Sequence, residues 1–232
     1  MTRAYFFFHQ LGYRRNPFGA LTAEEWAAVA VLPTAVAPLF QMAHDHGQLL
    51  GPMGSGKTTT LLGLQAHFAA QGAAVAYEYL PQGQTWFETE PAGLDLFLLD
   101  EAQRLTRRQR RRLMKGVGDG RLRLIVSSHE DLTPLFARRR LPLLTVSLAD
   151  QASPAHYAAV LAQRLAFFAL PDAARVTLGE TAVQFLYDTF GQNLREAEYF
   201  LYEVWQRQEA VGVITGAQLA AVLQSMAGWV RG

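Results

Sequence analysis

Apolar positions along this chain follow two rhythms, and one gives way to the other near residue 151. Before that point short apolar runs alternate with turn residues and helical stretches. QLL before a Gly-rich loop, AAVAYEYL (73–80), LDLFLLDEA (94–102), RLRLIVSSH (121–129) and LLTVSLAD (143–150) read as strands. LDLFLLDEA is unbroken until its closing acids, the pattern of a strand buried on both faces. Helices are predicted after the Gly-rich loop as far as Gly72, over the basic stretch that Thr106 and Gln109 can cap, and over EDLTPLFARRR. Strands alternating with helices predict a parallel sheet flanked on both faces.

Beyond residue 151 only the helical period remains, in four amphipathic segments. In NLREAEYFLYEVWQRQEAVG, Leu194, Ala197, Leu201, Val204 and Trp205 share one face. Residues 1–22 form an irregular lead-in with turns at Asn16-Pro17 and Gly19. Thr22 and Glu25 then match a capping box, so a helix starts at Ala23, carries Trp26 and Val29 and stops near Pro33; a second covers 35–45. The expected organisation is an α/β domain with its lead-in over 1–150 and a helical domain over 151–232.

Composition adds limits. The 232 residues are half apolar and 18% charged, which suits a globular chain with a substantial core. There are no cysteines, so disulfides, thiolate catalysis and Cys-ligated zinc are excluded. No uncharged run reaches the roughly 20 residues of a membrane span, and the opening apolar run is too short for a signal sequence. A soluble cytoplasmic protein is expected. The net charge of +1 hides an uneven distribution: residues 104–123 hold nine of the 21 Lys and Arg and one acid, Asp119, leaving 12 basic residues against 19 acids elsewhere.

GPMGSGKT fits G-x-x-x-x-G-K-[ST] in full, with an apolar run before it and a helical pattern after it. In such a loop, backbone from Gly51 through Pro52, Met53, Gly54, Ser55, Gly56, Lys57, Thr58 and Thr59 surrounds phosphate oxygens. Lys57 supplies a point charge, and the following helix directs its N-terminal dipole at the anion. The Thr58 hydroxyl and Asp100, at the end of the buried apolar run, are the residue types that hold Mg²⁺. Glu101 is placed to polarise an attacking water, and ATP and Mg²⁺ are the expected ligands.

These motifs resemble those of AAA+ ATPases, in particular a compact bacterial group that includes transposition-helper ATPases and secretion-pathway ATPases with an Asn-Pro-Phe lead-in. GYRRNPFG, GPMGSGKT, LLDEAQ, LIVSSHEDL, LFARRRLPLLTVSL and GQNLREAEYFL carry the likeness along nearly the whole chain. The resemblance implies a P-loop NTPase with a five-stranded parallel sheet and a C-terminal all-helical lid. It implies that Asn16, Pro17 and Phe18 lie against the adenine. Ser128, with Ser127 close behind, becomes the polar sensor near the γ-phosphate, and one of Arg138, Arg139 and Arg140 an arginine finger acting on a neighbouring subunit. Arg195 becomes a lid arginine that touches the nucleotide; Asn193 and Glu196 make a box-like helix start beside it, and a solvated surface arginine is the alternative. The chain departs from the family between AAVAYEYL and LDLFLLD, where 13 residues replace a full helix and a gripping loop. Threading of a polypeptide through a pore is therefore in doubt, and Trp86 and Phe87 either project as a contact or pack on the sheet edge.

On a helix from Arg104 to Lys115, the side chains of Arg104, Arg107, Arg108, Arg111, Arg112 and Lys115 fall within an arc of roughly 140°, with Arg110 outside it. Nothing acidic at helical spacing relieves the stripe. A polyanion would: nucleic acid, bound through phosphates with little sequence preference because no aromatic residue interleaves the arginines in the sequence. An acidic protein, an anionic lipid surface or plain solvation are the other readings. Six phosphate contacts would give a log K against log salt slope of about −5. His44-Asp45-His46 lacks a clear third metal ligand, and His129 follows the sensor serines without a settled role. The expected function is an ATP-hydrolysing AAA+ protein that assembles into a homo-oligomeric ring or filament and acts on DNA. The alternative is an ATP-switched adaptor for a protein or membrane-associated complex.

Overall fold

The computed structural model describes residues 6–41, 45–117, 122–149 and 151–229. In chain order the elements are α1 (Phe7–Gln10), α2 (Ala23–Val29), α3 (Ala37–Gln41), β1 (His46–Leu50), α4 (Lys57–Ala70), β2 (Val75–Tyr79), β3 (Leu96–Asp100), α5 (Arg107–Val117), β4 (Arg123–Ser128), α6 (Thr133–Ala137), β5 (Leu143–Ser147), α7 (Pro154–Phe168), β6 (Thr177–Leu178), α8 (Glu180–Phe190), α9 (Leu194–Arg207), β7 (Val213–Ile214) and α10 (Gly216–Trp229). No single helix among the described residues is long and apolar enough to cross a membrane.

The chain divides into two compact units. One is built from Leu32–Gln151, the other from Met1–Val31 and Ala152–Gly232. The first contains a five-stranded sheet in the order β2-β3-β4-β1-β5, with every pairing parallel. Strand β3 is buried along its whole length, as is β4. Alternation along them sorts the core into two layers. Phe97, Leu99, Leu124 and Val126 face α5 and α6 with Leu113, Met114 and Phe136; Leu96, Leu98 and Ile125 face α3 and α4 with Leu39, Leu61 and Leu64. Gly47 on β1 is required by this packing, because a Cβ there would lie 2.7 Å from Leu39 Cδ2. The edge strands β2 and β5 are only partly buried.

The second unit holds the four expected helices α7–α10. It also holds a two-stranded parallel pair, β6 with β7, which two-residue segments cannot announce in a sequence. Its apolar core centres on Trp205, Leu201, Tyr157 and Phe168. The lead-in belongs here rather than to the sheet, which moves the expected boundary at its N-terminal side. Tyr13 is fully buried, donates its hydroxyl to Val176 O, and has its pKa raised by burial to about 12. The Phe18 ring meets Trp205 edge-on at 4.8 Å. Arg164, itself buried, donates to Pro17 O at 2.6 Å and Gly19 O at 2.8 Å and pairs with Glu198 at 2.6 Å. A buried guanidinium needs this many acceptors, and the lead-in carbonyls supply them. Helix α7 also borders an apolar cavity of about 610 Å³ through Ala155, Ala158 and Ala162.

Candidate functional site

At the C-terminal end of the sheet, the loop between β1 and α4 is shaped by its glycines. Gly54 and Gly56 adopt φ of 79° and 86°, a region that side chains disfavour. Gly51 has no room for a Cβ, which would sit 2.5 Å from Ser55 Oγ. That Ser55 hydroxyl is buried and has no hydrogen-bond partner. The first turn of α4 receives no side-chain cap, so its amides and dipole face the loop. Lys57 is buried and folds its ammonium back onto the carbonyls of Gly51 and Pro52, at 2.8 and 2.9 Å. A glycine cradle, an unsatisfied hydroxyl, a helix N-terminus and a lysine are the parts a polyphosphate would fill.

Asp100 ends β3 beside this loop and is fully buried. Thr58 Oγ1 donates to its Oδ2 at 2.7 Å, Tyr77 OH donates to the same oxygen at 3.1 Å, and Ser127 Oγ donates to Oδ1. Burial first, and Asp100 second, raise the Tyr77 phenol pKa, so Tyr77 stays a donor. Thr58 and Asp100 thus form an adjacent hydroxyl–carboxylate pair of the type that fits Mg²⁺ bound jointly with phosphate oxygens. Among the described residues no group of three or more His, Asp or Glu could hold a metal by itself. His44 lies outside the described residues. His46 is committed to the fold: its Nδ1 accepts from Leu124 N at 3.1 Å and its ring tilts against Phe136.

The serine beside Asp100 is Ser127, not the expected Ser128. Leu98 pairs in register with Ile125, so Asp100 and Ser127, two residues further along each strand, share the face that looks toward α4. Ser128 points to the opposite face and closes a turn, accepting from Glu130 N at 2.9 Å and donating to Glu130 O at 2.6 Å.

Glu101 follows in a left-handed conformation, φ 64°, anchored by its N–H donating to Ser127 Oγ at 3.0 Å. Gln103 Nε2 donates to Glu101 Oε2 at 2.7 Å, Arg104 pairs with the same oxygen at 3.0 Å, and His129 Nε2 lies 3.3 Å from Oε1. The carboxylate is therefore oriented by three side chains. Sequence spacing did not identify Gln103, and it had placed Arg104 elsewhere.

Arg104 is the main departure in the basic segment. It sits in a 3₁₀ turn before α5, not on the helix, and donates to Leu80 O as well as pairing with Glu101. Arg112 lies over the Phe87 ring at 4.5 Å and donates to Phe87 O at 3.1 Å, while Arg110 donates to Leu105 O and Gln103 O. Arg107, Arg108, Arg111 and Lys115 are exposed and have no acidic partner among the described residues. The expected stripe of six is thus four exposed charges with Arg112 at its flank.

Arg138, Arg139 and Arg140 follow α6 and are exposed. They precede β5, whose start is in register with His46 at the start of β1, whereas the Gly-rich loop follows the end of β1. The length of a five-residue strand, on the order of 15 Å, separates the two edges. In the helical unit Asn16, Pro17 and Phe18 are all buried. Asn16 Nδ2 donates to Tyr202 O at 3.1 Å and its Oδ1 accepts from Phe18 N at 3.0 Å. These side chains are occupied by packing within their own unit. Asn193 caps α9 by accepting from Glu196 N at 3.3 Å, and Arg195 is exposed in the first turn.

No protein-family model matches the sequence, and no curated protein matches it. Solved structures do. The chain is similar to the Thermotoga maritima RuvB Holliday junction branch migration motor, with a TM-score of 0.56 and 16% identity over 88% of this chain and 68% of that one. It is similar to the P216G mutant of the same RuvB, with a TM-score of 0.57 and 13% identity over 90% and 72%. It is also similar to NtrX from Brucella abortus in complex with ADP, with a TM-score of 0.54 and 14% identity over 84% and 56%. The chain spans about two thirds of the length of the RuvB chains it matches. What it shares with them is the AAA+ P-loop NTPase fold.

Proposed function

We propose that this protein binds and hydrolyses ATP, assembles with nucleotide at subunit interfaces, and acts on DNA through the exposed face of α5. The observation that carries the reading is Thr58 and Asp100 in contact at the mouth of a glycine loop whose Ser55 hydroxyl and Lys57 are turned inward. The backbone from Gly51 to Thr59 and the Lys57 ammonium bind and orient the triphosphate. Thr58 and Asp100 would hold Mg²⁺, which would supply charge neutralisation at the phosphates. Glu101, oriented by Gln103 and Arg104, takes the proton of the attacking water, and Ser127 fixes the Asp100 carboxylate and the Glu101 backbone together.

Arg138–Arg140 lie too far along the strand direction to serve their own loop, which supports a role for one of them on a neighbour's nucleotide, in a ring or a helical filament. Arg195 is assigned to the nucleotide of its own chain. The four unpaired charges on α5 support a phosphate contact that is steep in salt.

ATP turnover per subunit, measured against protein concentration with and without duplex DNA, tests the reading. Specific activity should rise with concentration, and DNA binding should weaken as salt increases. Arg138–Arg140 triple-alanine subunits should be inactive alone, yet regain turnover when mixed with Lys57→Ala subunits, which supply the missing arginines. Concentration-independent turnover with no recovery on mixing contradicts assembly. Absence of DNA binding at low salt favours the adaptor reading.

A further inference from the structure

The basic face of α5 is not purely electrostatic. The 16 residues that join β2 to β3 (80–95) form no helix, and Pro81, Gly83, Pro91 and Gly93 account for this, with Gly83 and Gly93 at φ of 92° and 83°. Instead the link runs along the flank of α5. Thr106 N donates to Thr85 O at 3.2 Å just before the helix, Arg112 Nη1 donates to Phe87 O at 3.1 Å in its second turn, and Gly116 faces Pro91. Trp86 sits between the first two contacts. Phe87 is drawn into the core against Phe97, but Trp86 is 48% exposed and has no ring or cation partner among the described residues. Gln84 Nε2 donates to Trp86 O at 2.9 Å and fixes the loop tip. Tyr79, also 48% exposed, lies at the same sheet edge with the Arg104 guanidinium 5.7 Å from its ring centre.

We propose that Trp86 is a base-stacking platform alongside Arg108, Arg111, Arg112 and Lys115, and that the surface takes single-stranded nucleic acid in preference to duplex. This rests on the nucleic-acid reading above and revises its expectation of a phosphate-only contact. In a duplex the π faces of the bases are occupied by one another, so an exposed indole beside a phosphate-binding row gains contact only with unstacked bases. Arginine pairs with phosphate and stacks on bases, and it dominates this row. From Arg108 to Lys115 the row is about 11 Å long, enough for a few phosphates. Glu90 lies 3.9 Å from Arg112, and the other three charges have no acidic partner among the described residues.

The test is fluorescence anisotropy of the intact protein with three labelled probes: a 20-mer single-stranded oligodeoxynucleotide, its duplex, and an abasic strand of equal length. The wild type should bind the single strand more tightly than the other two. Trp86→Ala should weaken single-strand binding about tenfold or more, in line with the stacking contribution of one base, and leave duplex and abasic affinities within about twofold. Trp86→Phe should recover most of the loss. Arg108→Ala with Arg111→Ala should weaken all three alike. Equal loss on every probe in Trp86→Ala, or no loss on any, overturns the platform while leaving nucleic-acid binding intact. Displacement by poly-glutamate as effective as that by the single strand also overturns it. No binding of any probe by the wild type overturns both this inference and the DNA reading beneath it.

Discussion

The loop-facing end of the sheet and the outer face of α5 treat charge in opposite ways. At the sheet end every charged group is matched. Asp100 accepts from Thr58, Tyr77 and Ser127, Lys57 is folded onto loop carbonyls, and Glu101 is held by Gln103 and Arg104. On α5, four cations stand in solvent without a counter-charge among the described residues. Matched and buried polar groups hold a geometry, which chemistry needs. Unmatched and exposed charges hold nothing in place but attract a diffusible polyanion, which recognition needs. Arg104 marks the border: it belongs to the basic segment in sequence and to the carboxylate cluster in space.

The sharpest way to break this contrast is Glu101→Gln. The substitution keeps the shape and the Gln103 contact but removes the proton acceptor. Turnover should fall by about 10²–10⁴, with nucleotide affinity changed less than about twofold; unchanged turnover removes Glu101 from the reaction.

A smaller but more discriminating effect separates the two serines. Ser127→Ala strips a donor from buried Asp100 and an acceptor from the Glu101 N–H, so turnover should drop about tenfold or more and stability by about 1–3 kcal/mol. Ser128→Ala loses a turn contact and should cost under about 1 kcal/mol with turnover near wild type. Reversed outcomes in paired turnover and thermal-melt assays would return the sensor role to Ser128.

On the other side of the contrast, alanine at Arg107, Arg108, Arg111 and Lys115 together should flatten the slope of log K against log salt for duplex DNA by about 3–4, while adding Arg104→Ala leaves the slope unchanged. A further drop on losing Arg104 would put it back in the phosphate-binding row.

The smallest effect is on stability. Burial foremost, with Arg123 adding and Asp45 opposing, lowers the His46 pKa, and burial lowers that of His156. The unfolded chain therefore takes up protons first. Stability is fully present above about pH 6.5 and falls as pH drops from there toward the folded-state values, by at most about 1.4 kcal/mol per pH unit for each group. Melting temperatures between pH 7.5 and 5.5 should show the loss. His46→Asn, whose side-chain oxygen can accept the Leu124 N–H, should show a shallower one. A flat profile, or an equal slope in the variant, contradicts the assignment.

These two regions were legible to different degrees. GPMGSGKT, the buried LFLLD run and the four C-terminal helices carry their patterns locally, and each forms where its pattern places it. Errors arose where a side chain answers to something distant in sequence. Choosing between Ser127 and Ser128 needs the register of β3 against β4, which places Asp100 and Ser127 on one face; counting by twos from Leu98 and its partner Ile125 would have found it. Arg104 was counted into the α5 stripe because helical projection cannot see the break that Leu105 and Thr106 introduce before the helix. The sequence places the Asn-Pro-Phe element in the lead-in of the α/β domain over 1–150. Arg164, some 145 residues later, collects the carbonyls of Pro17 and Gly19 instead. Gln48 shows the same limit: fully buried on β1, it donates to Asp131 and Thr145 and accepts from Leu132 N, and no local pattern predicts it. For Trp86 and Phe87 the sequence leaves projection and packing open; the path of the link leaves Trp86 exposed and buries Phe87.

The central claim is that the glycine loop and the tip of β3 together grip a magnesium–triphosphate. Titration calorimetry of Mg²⁺·ATP into the wild type and Lys57→Ala measures it most directly. The account predicts micromolar-range binding that weakens at least about tenfold when the ammonium is lost, in keeping with a charged hydrogen bond to phosphate. Equal affinity in the two proteins, or no nucleotide binding by the wild type, would contradict it.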